Sequence, residues 1–116
     1  MLRIPQDAVD LFDTLLPEAI ARHPDRARAL DTVLCFKIEG AGDWTIDCSR
    51  EAHAPSCSRG VAIASQCTVE LDSKHFQEML LNPNVGMDLY RQRRLRISGD
   101  PEHAMKISAV FALVTG

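Results

Sequence analysis

Histidine, cysteine and carboxylate side chains are the groups from which an enzyme or a metal centre would be built, and in this sequence they are dispersed. His23, His53, His75 and His103 fall in four different predicted elements, so the local ingredients for a nucleophile, acid or base are thin. Cys48, His53 and Cys57 are the best metal candidates, since a loop can gather soft ligands and Cys67 can join them from the next strand, but their spacing matches no compact zinc signature. The plainer reading is a buried Cys48, a mobile His53 and a loop thiol at Cys57. Asp43 with Asp47, and Glu70 with Asp72, are carboxylate pairs on extended segments. They are expected to face solvent, because nothing nearby supplies the unequal desolvation that separates two proton affinities. Gly40-Ala41-Gly42 sits between two strands and reads as hairpin geometry, whereas a phosphate loop needs glycines between a strand and a helix. No cofactor motif is present, and a protein without enzymatic chemistry is expected.

The clearest charge run is Arg91, Arg93, Arg94 and Arg96. Two readings stay open: a solvated edge of helix and strand, or contact with anionic lipid headgroups or an acidic protein. Nucleic acid is not an expected partner. The net charge is -3, and a single Trp and a single Tyr do not supply repeated stacking platforms.

The elements that must position these residues follow from periodicity. With 116 residues and 46% hydrophobic side chains, the chain reads as one domain spanning 1–116 with a core of its own. It has no apolar run long enough to span a membrane, and Met1-Leu2-Arg3-Ile4-Pro5 lacks the apolar stretch of a secretion signal, so a cytoplasmic location is expected. Cys35, Cys48, Cys57 and Cys67 form no CxxC pair and read as free thiols. Ala8, Leu11, Phe12, Leu15, Leu16, Ala19 and Ile20 recur at helical spacing after Asp7, a capping residue, with Pro17 expected to bend or interrupt the helix. A shorter helix starts at Pro24 and ends near Leu30.

The period then changes to two. Leu34, Phe36 and Ile38 oppose Lys37 and Glu39, and after the glycine turn Trp44, Ile46 and Cys48 oppose Thr45 and Asp47, which predicts a hairpin with one wet face. The stretch from Ser49 to Gly60 reads as loop. Cys67, Val69 and Leu71 continue the alternation, with Val61 to Ala64 as its beginning or as a separate edge segment. Asp72 or Ser73 caps a helix carrying Phe76, Met79 and Leu80, and a short helix through Met87, Leu89 and Tyr90 leads into a strand with Leu95 and Ile97 inward. Asp100-Pro101 starts a last helix striped by Ala104, Ile107, Phe111 and Val114. A sheet with one dry face and helices packed on it is the natural two-layer solution. Met79, Met87 and Met105 lie on three separate helices, and flexible thioethers suit an adaptable contact surface. A fully packed core, an apolar pocket between helices and sheet, and a dimerising helix face all remain compatible with this pattern.

Three blocks in order carry a resemblance: Phe36-Lys37-Ile38-Glu39-Gly40-Ala41-Gly42-Asp43-Trp44-Thr45-Ile46-Asp47, Cys67-Thr68-Val69-Glu70-Leu71-Asp72-Ser73-Lys74-His75-Phe76, and Arg94-Leu95-Arg96-Ile97-Ser98-Gly99-Asp100-Pro101 with Ala104-Met105-Lys106. From about Ala8 to Ala112 the chain resembles a sterol carrier protein type 2 domain. The resemblance implies an α+β fold in which a curved, mostly antiparallel, five-stranded sheet is covered by helices on one face, with a hydrophobic tunnel between the layers. It implies binding, and transfer, of a fatty acyl, isoprenoid, phospholipid or sterol-like ligand without chemical change. It also implies roles for Trp44 and Phe36 in bracing the sheet, for Gly99 and Asp100 in the last turn, and for Ala104 and Met105 in the closing helix. Some relatives instead serve as accessory domains in isoprenoid-quinone synthesis or hold substrate within larger enzymes.

Two departures stand out. Arg93 occupies a position where the family often has glycine at a helix end, so the turn there either avoids a left-handed backbone or accepts its cost. The chain also ends close to the last helix, where some relatives continue into a fifth strand and a closing segment; that loss would open the pocket or leave its mouth for a partner subunit.

On this reading the ligand-lining residues are Phe12, Leu16, Phe76, Leu80, Met87, Tyr90, Met105 and Phe111. Arg91, Arg94 and Arg96 are assigned to headgroup or transient membrane contact. The alternative is a structural, homodimerising or accessory domain whose tunnel is filled by its own side chains and which assists a lipid- or quinone-related enzyme.

Overall fold

The computed structural model describes residues 7–49, 55–60, 65–82, 85–104 and 106–115. The chain opens with α1 (Ala8–Asp10), a π-helical turn (Leu11–Leu15) and α2 (Leu16–Arg22), which run on without a break. Asp7 caps this helix by accepting the Asp10 N–H at 2.8 Å. Pro17 leaves a wide turn in place of a break. The Leu16 N–H reaches back to the Leu11 carbonyl, and Pro17 has no N–H to offer the Phe12 carbonyl behind it. The shorter helix is α3 (Pro24–Ala29).

β1 (Val33–Glu39) and β2 (Gly42–Asp47) form the expected hairpin, with Phe36 opposite Trp44 and Leu34 opposite Ile46. Its turn is closed by the Ala41 N–H on the Ile38 carbonyl at 3.0 Å, with Gly40 at φ 91°. The stretch read as loop contains β3 (Ser56–Arg59), an edge strand antiparallel to β2. Four residues of small and polar character carry too little alternation to announce a strand, and pairing with β2 decides it. β4 (Cys67–Asp72) joins β1 in parallel, with Val69 beside Phe36, and β5 (Arg96–Gly99) closes the other edge antiparallel to β4. The sheet is five-stranded, in the order β3-β2-β1-β4-β5, and mostly antiparallel. All five strands lie before the last helix. Val61 to Ala64 lie outside the described residues.

The helical cover continues in α4 (Ser73–Leu81), α5 (Val85–Arg91), α6 (Pro101–Ala104) and α7 (Ile107–Thr115). Asp72 is the cap of α4, accepting the His75 N–H at 2.8 Å. Register places Leu34, Phe36, Ile38, Trp44, Ile46, Val69 and Leu71 on one face, all at most 5% exposed. The helices pack on that face. On the other face Asp43, Lys37, Glu70 and Arg96 lie side by side across β2, β1, β4 and β5, with Glu70 bridged to Lys37 at 3.6 Å and to Arg96 at 3.3 Å. Alternating charge across neighbouring strands keeps this face wet without repulsion.

Two turns explain family positions. At Gly99, φ is 109° and an added Cβ would stand 2.4 Å from the Gln66 carbonyl oxygen, so only glycine fits. At the end of α5 the Arg93 N–H bonds to the Tyr90 carbonyl and the Arg94 N–H to the Leu89 carbonyl, which is a Schellman closure. Arg93 holds φ at 62° there and so accepts the left-handed backbone that glycine would adopt freely, at about 1–2 kcal/mol.

Candidate functional site

Phe12, from the π-helical turn, lies at the centre of the space between the layers. Its ring centroid is 5.0 Å from those of Phe36 and Trp44 on the sheet, 5.6 Å from Phe76 on α4 and 6.4 Å from Phe111 on α7. Phe111 also meets Phe36 at 5.7 Å. Offset and tilted rings at these separations attract each other beyond the area they bury. Three expected lining residues, Phe12, Phe76 and Phe111, are thus brought together from three separate helical elements. Leu16 is fully buried in the same core, and Leu80 and Phe111 are half-buried against it. Phe36 and Trp44 are buried where the sheet meets this cluster.

The border of the cluster is polar and tightly held. Asp13, next to Phe12, accepts the Trp44 indole N–H at 2.8 Å and pairs with Arg59 at 2.5 Å. The Arg59 guanidinium lies 5.1 Å from the Trp44 ring centroid, over its face. Hydrogen bonds from Arg59, then from Trp44, hold the Asp13 carboxyl below the usual carboxylate range. The Phe12 carbonyl, orphaned by the wide turn and Pro17, accepts the Cys57 thiol at 3.2 Å. Burial pushes the Cys57 thiol up to about 12 and that of Cys48 to about 11. These are structural thiols, not nucleophiles. Asp13 carries no sequence signal of its role, and Cys57, read as a metal candidate or a loop thiol, is set against Phe12 by the π register and by the unannounced strand β3.

The other expected residues lie elsewhere. Met87 and Tyr90 are 61% and 52% exposed on the outer face of α5, away from the ring cluster, since α5 turns Leu89 inward. Met105 lies outside the described residues. Arg91 and Arg94 are exposed, while Arg96 is tied to Glu70 on the wet side of the sheet. Arg93, Arg94 and Arg96 line a charged cavity of about 350 Å³ with Lys37, Glu70 and Asp72 among its walls. His53, the middle residue of the metal candidate, lies outside the described residues, and among the described residues no three His, Cys, Asp or Glu side chains are placed to hold a metal ion.

His75 contacts Asp72 at 2.7 Å as part of a helix cap. His103 contacts the Thr32 hydroxyl at 2.7 Å and stands 4.0 Å from Asp100. A hydroxyl, an imidazole and a carboxylate in sequence suggest a nucleophile relay, but Thr32 is fully buried and offers no atom to a substrate. Among the described residues no helix is long and apolar enough to cross a membrane.

The SCP-2 sterol transfer family model matches residues 12–112. Among solved structures the chain is similar to apo sterol carrier protein 2 from Yarrowia lipolytica, at 12% identity and a TM-score of 0.74, covering 97% of this chain and 96% of that one. It is similar to a UbiJ-SCP2 ubiquinone synthesis protein at 22% identity and a TM-score of 0.60, covering 90% and 85%. It is also similar to palmitated SCP2L2 from Aedes aegypti, at 20% identity and a TM-score of 0.55, covering 82% and 90%. At these identities the likeness is one of fold. No curated protein matches the chain.

Proposed function

This chain belongs to the SCP-2 sterol transfer family, and on that premise we propose that it binds, without chemical change, a lipid with a long apolar chain and releases it again. The guest is a fatty acyl, isoprenoid, phospholipid or sterol-like molecule, taken between the sheet and α4, α5 and α7. The observation that carries this reading is α7. Each of its described side chains is apolar, yet Ile107, Ala109, Phe111 and Ala112 are only half-buried. Val110, Leu113 and Val114 seat α7 in the core, and the apolar side chains left half-buried beside them are the surface we assign to the guest. Leu80 and Met79 on α4 and Val85 on α5 are half-buried in the same way.

Phe76, Leu80 and Phe111 are the residues we assign to the guest's chain, and Met105, outside the described residues, is a further candidate from the sequence. Phe12 and Leu16 form the closed floor. Affinity comes from removing the chain from water, at about 0.8 kcal/mol for each methylene before ordering costs. Four free thiols favour a reducing, cytoplasmic compartment. Delipidated protein titrated with a fluorescent fatty acid is expected to bind saturably, and absence of saturable binding for acyl, isoprenoid and sterol probes alike contradicts the proposal.

A second reading has its own support. The rings of Phe12, Phe36 and Trp44 are in contact, so that part of the interlayer space is filled, and one similar fold is that of a ubiquinone synthesis protein. An accessory domain, homodimeric or bound to an enzyme, needs no open tunnel. Native mass spectrometry after gentle purification separates the two, because a carrier retains or accepts lipid mass and a filled domain does not.

A further inference from the structure

We propose that the charged cavity on the wet face of the sheet, opposite to the helices, binds a small zwitterion of amino-acid size, a molecule carrying one ammonium and one carboxylate. The cavity has a volume of about 350 Å³, and its lining holds four cations and four carboxylates. Leu71 is the one apolar residue in that lining, so an acyl chain or a ring finds little to bury against. Part of the charge is already used. Glu70 is bridged to Lys37 at 3.6 Å and to Arg96 at 3.3 Å, which joins these three into one base. Asp72 caps α4 by accepting the His75 N–H at 2.8 Å, and Arg94 adds a longer-range attraction to it. Glu39, Asp43 and Arg93 enter no salt bridge among the described residues, and all three are exposed. The lining thus leaves carboxylates on the side of the β1–β2 hairpin and guanidinium groups on the side of the turn after α5.

That separation selects the ligand. An anion alone gains from Arg93 and Arg94 and is repelled by Glu39 and Asp43, and a cation alone meets the reverse. A neutral molecule with its two charges apart satisfies both sides, and a guanidinium takes a carboxylate in bidentate fashion. Size agrees with charge. Glu39 lies on β1 and the turn leads into β5, two strand spacings away across β4, or about 10 Å at the backbone. Two long side chains with an amino acid between them fill that gap. Arg93 adds an independent sign. It holds φ at 62°, where glycine would sit without strain, so a cation is kept at the cavity at a backbone cost. The sheet itself lies between this cavity and the interlayer space, so the inference does not depend on the carrier reading.

The test is titration of the full chain, followed by amide chemical shifts, with glycine and γ-aminobutyrate, and with butyrate and butylamine as single-charge controls. At least one of the amino acids is expected to bind saturably with a Kd of about 1 mM, the scale of a few half-exposed charge contacts. Shifts are expected at Glu39, Asp43, Arg93 and Arg94, with affinity above that of both controls and weakened by added salt. Asp43→Asn and Arg93→Gly are each expected to weaken binding about threefold. Arg93→Gly should do so while keeping or raising the melting temperature, which separates binding from folding. No saturable binding, a control that binds as tightly as the amino acids, or affinity unchanged in either variant overturns the proposal. Tighter binding of glycerophosphoethanolamine identifies a lipid headgroup as the ligand and also overturns it. So does displacement of a bound fluorescent fatty acid by either amino acid, which would place the ligand between the layers.

Discussion

Along α1, the π-helical turn and α2, the side chains of Leu11, Phe12, Leu15, Leu16, Ala19 and Ile20 keep at most 4% of their surface exposed. On α4, α5 and α7, Met79, Leu80, Val85, Ile107 and Phe111 are half-buried, and Leu81, Met87 and Tyr90 are exposed. Both regions are comparably apolar in sequence. The first is covered on every side by the sheet, by β3 and by α7, and is fastened at its rim by Asp13, Trp44, Arg59 and Cys57. The second has the sheet and its own helices beneath it and, among the described residues, no further layer. What separates them is completeness of cover, and on the proposed function that difference distinguishes a floor, which holds the fold, from a wall that a ligand would finish.

The largest expected effect is at the floor. Phe12→Ala should cost about 3–5 kcal/mol in urea denaturation, as a fully buried aromatic does. Phe111→Ala, half-buried, should cost clearly less, and equal costs would dissolve the distinction between the two regions. The rim comes next. Asp13→Ala leaves the buried Trp44 N–H without its acceptor and should cost about 1–3 kcal/mol.

The same site sets an acid limit. Asp13 and Asp72 are held below the usual carboxylate range, by Arg59 and Trp44 in one case and by the His75 backbone N–H foremost in the other. A carboxyl depressed in the folded state contributes stability that is present above its unfolded value, about 3.9, and is lost as pH falls through the lower folded value. Melting temperature should therefore fall below about pH 4, and Asp13→Ala should flatten that fall.

At the wall the effect should move from stability to binding. Phe111→Ala should weaken fatty-acid binding about tenfold, the equivalent of losing part of one aromatic contact, while Phe12→Ala acts chiefly by unfolding. The smallest change expected is a gain. Arg93→Gly should stabilise the fold by about 1 kcal/mol through relief of the left-handed backbone, read as a higher denaturation midpoint with an unchanged slope.

Much of the fold was legible because its elements are strongly periodic. The alternation of Leu34, Phe36 and Ile38 against Lys37 and Glu39 predicts β1, and Asp7, Asp72 and Asp100 mark helix starts that the structure keeps. β3 was not legible, because an edge strand of four small and polar residues is specified by its partner and not by its own pattern. The parallel pairing of β1 with β4 was hidden for a related reason, since alternation gives the faces of a strand and not its direction. In the site, Phe12, Phe76 and Phe111 were found as apolar positions on helical stripes, and the structure brings their rings together. The same logic placed Met87 and Tyr90 inside. A helix of seven residues has too few turns for its stripe to fix its rotation, and Leu89 takes the inner position. Arg93 was recognisable as an odd residue at a helix end, but whether the backbone bends around it or bears it depends on the Schellman bonds to Leu89 and Tyr90.

Amide hydrogen exchange, measured on delipidated protein with and without a saturating fatty acid, tests most directly whether the guest completes the wall and leaves the floor alone. The account predicts slowed exchange in α4, α5 and α7 with α1 and α2 unchanged. Protection confined to α1 and α2, or spread evenly over the chain, would contradict it.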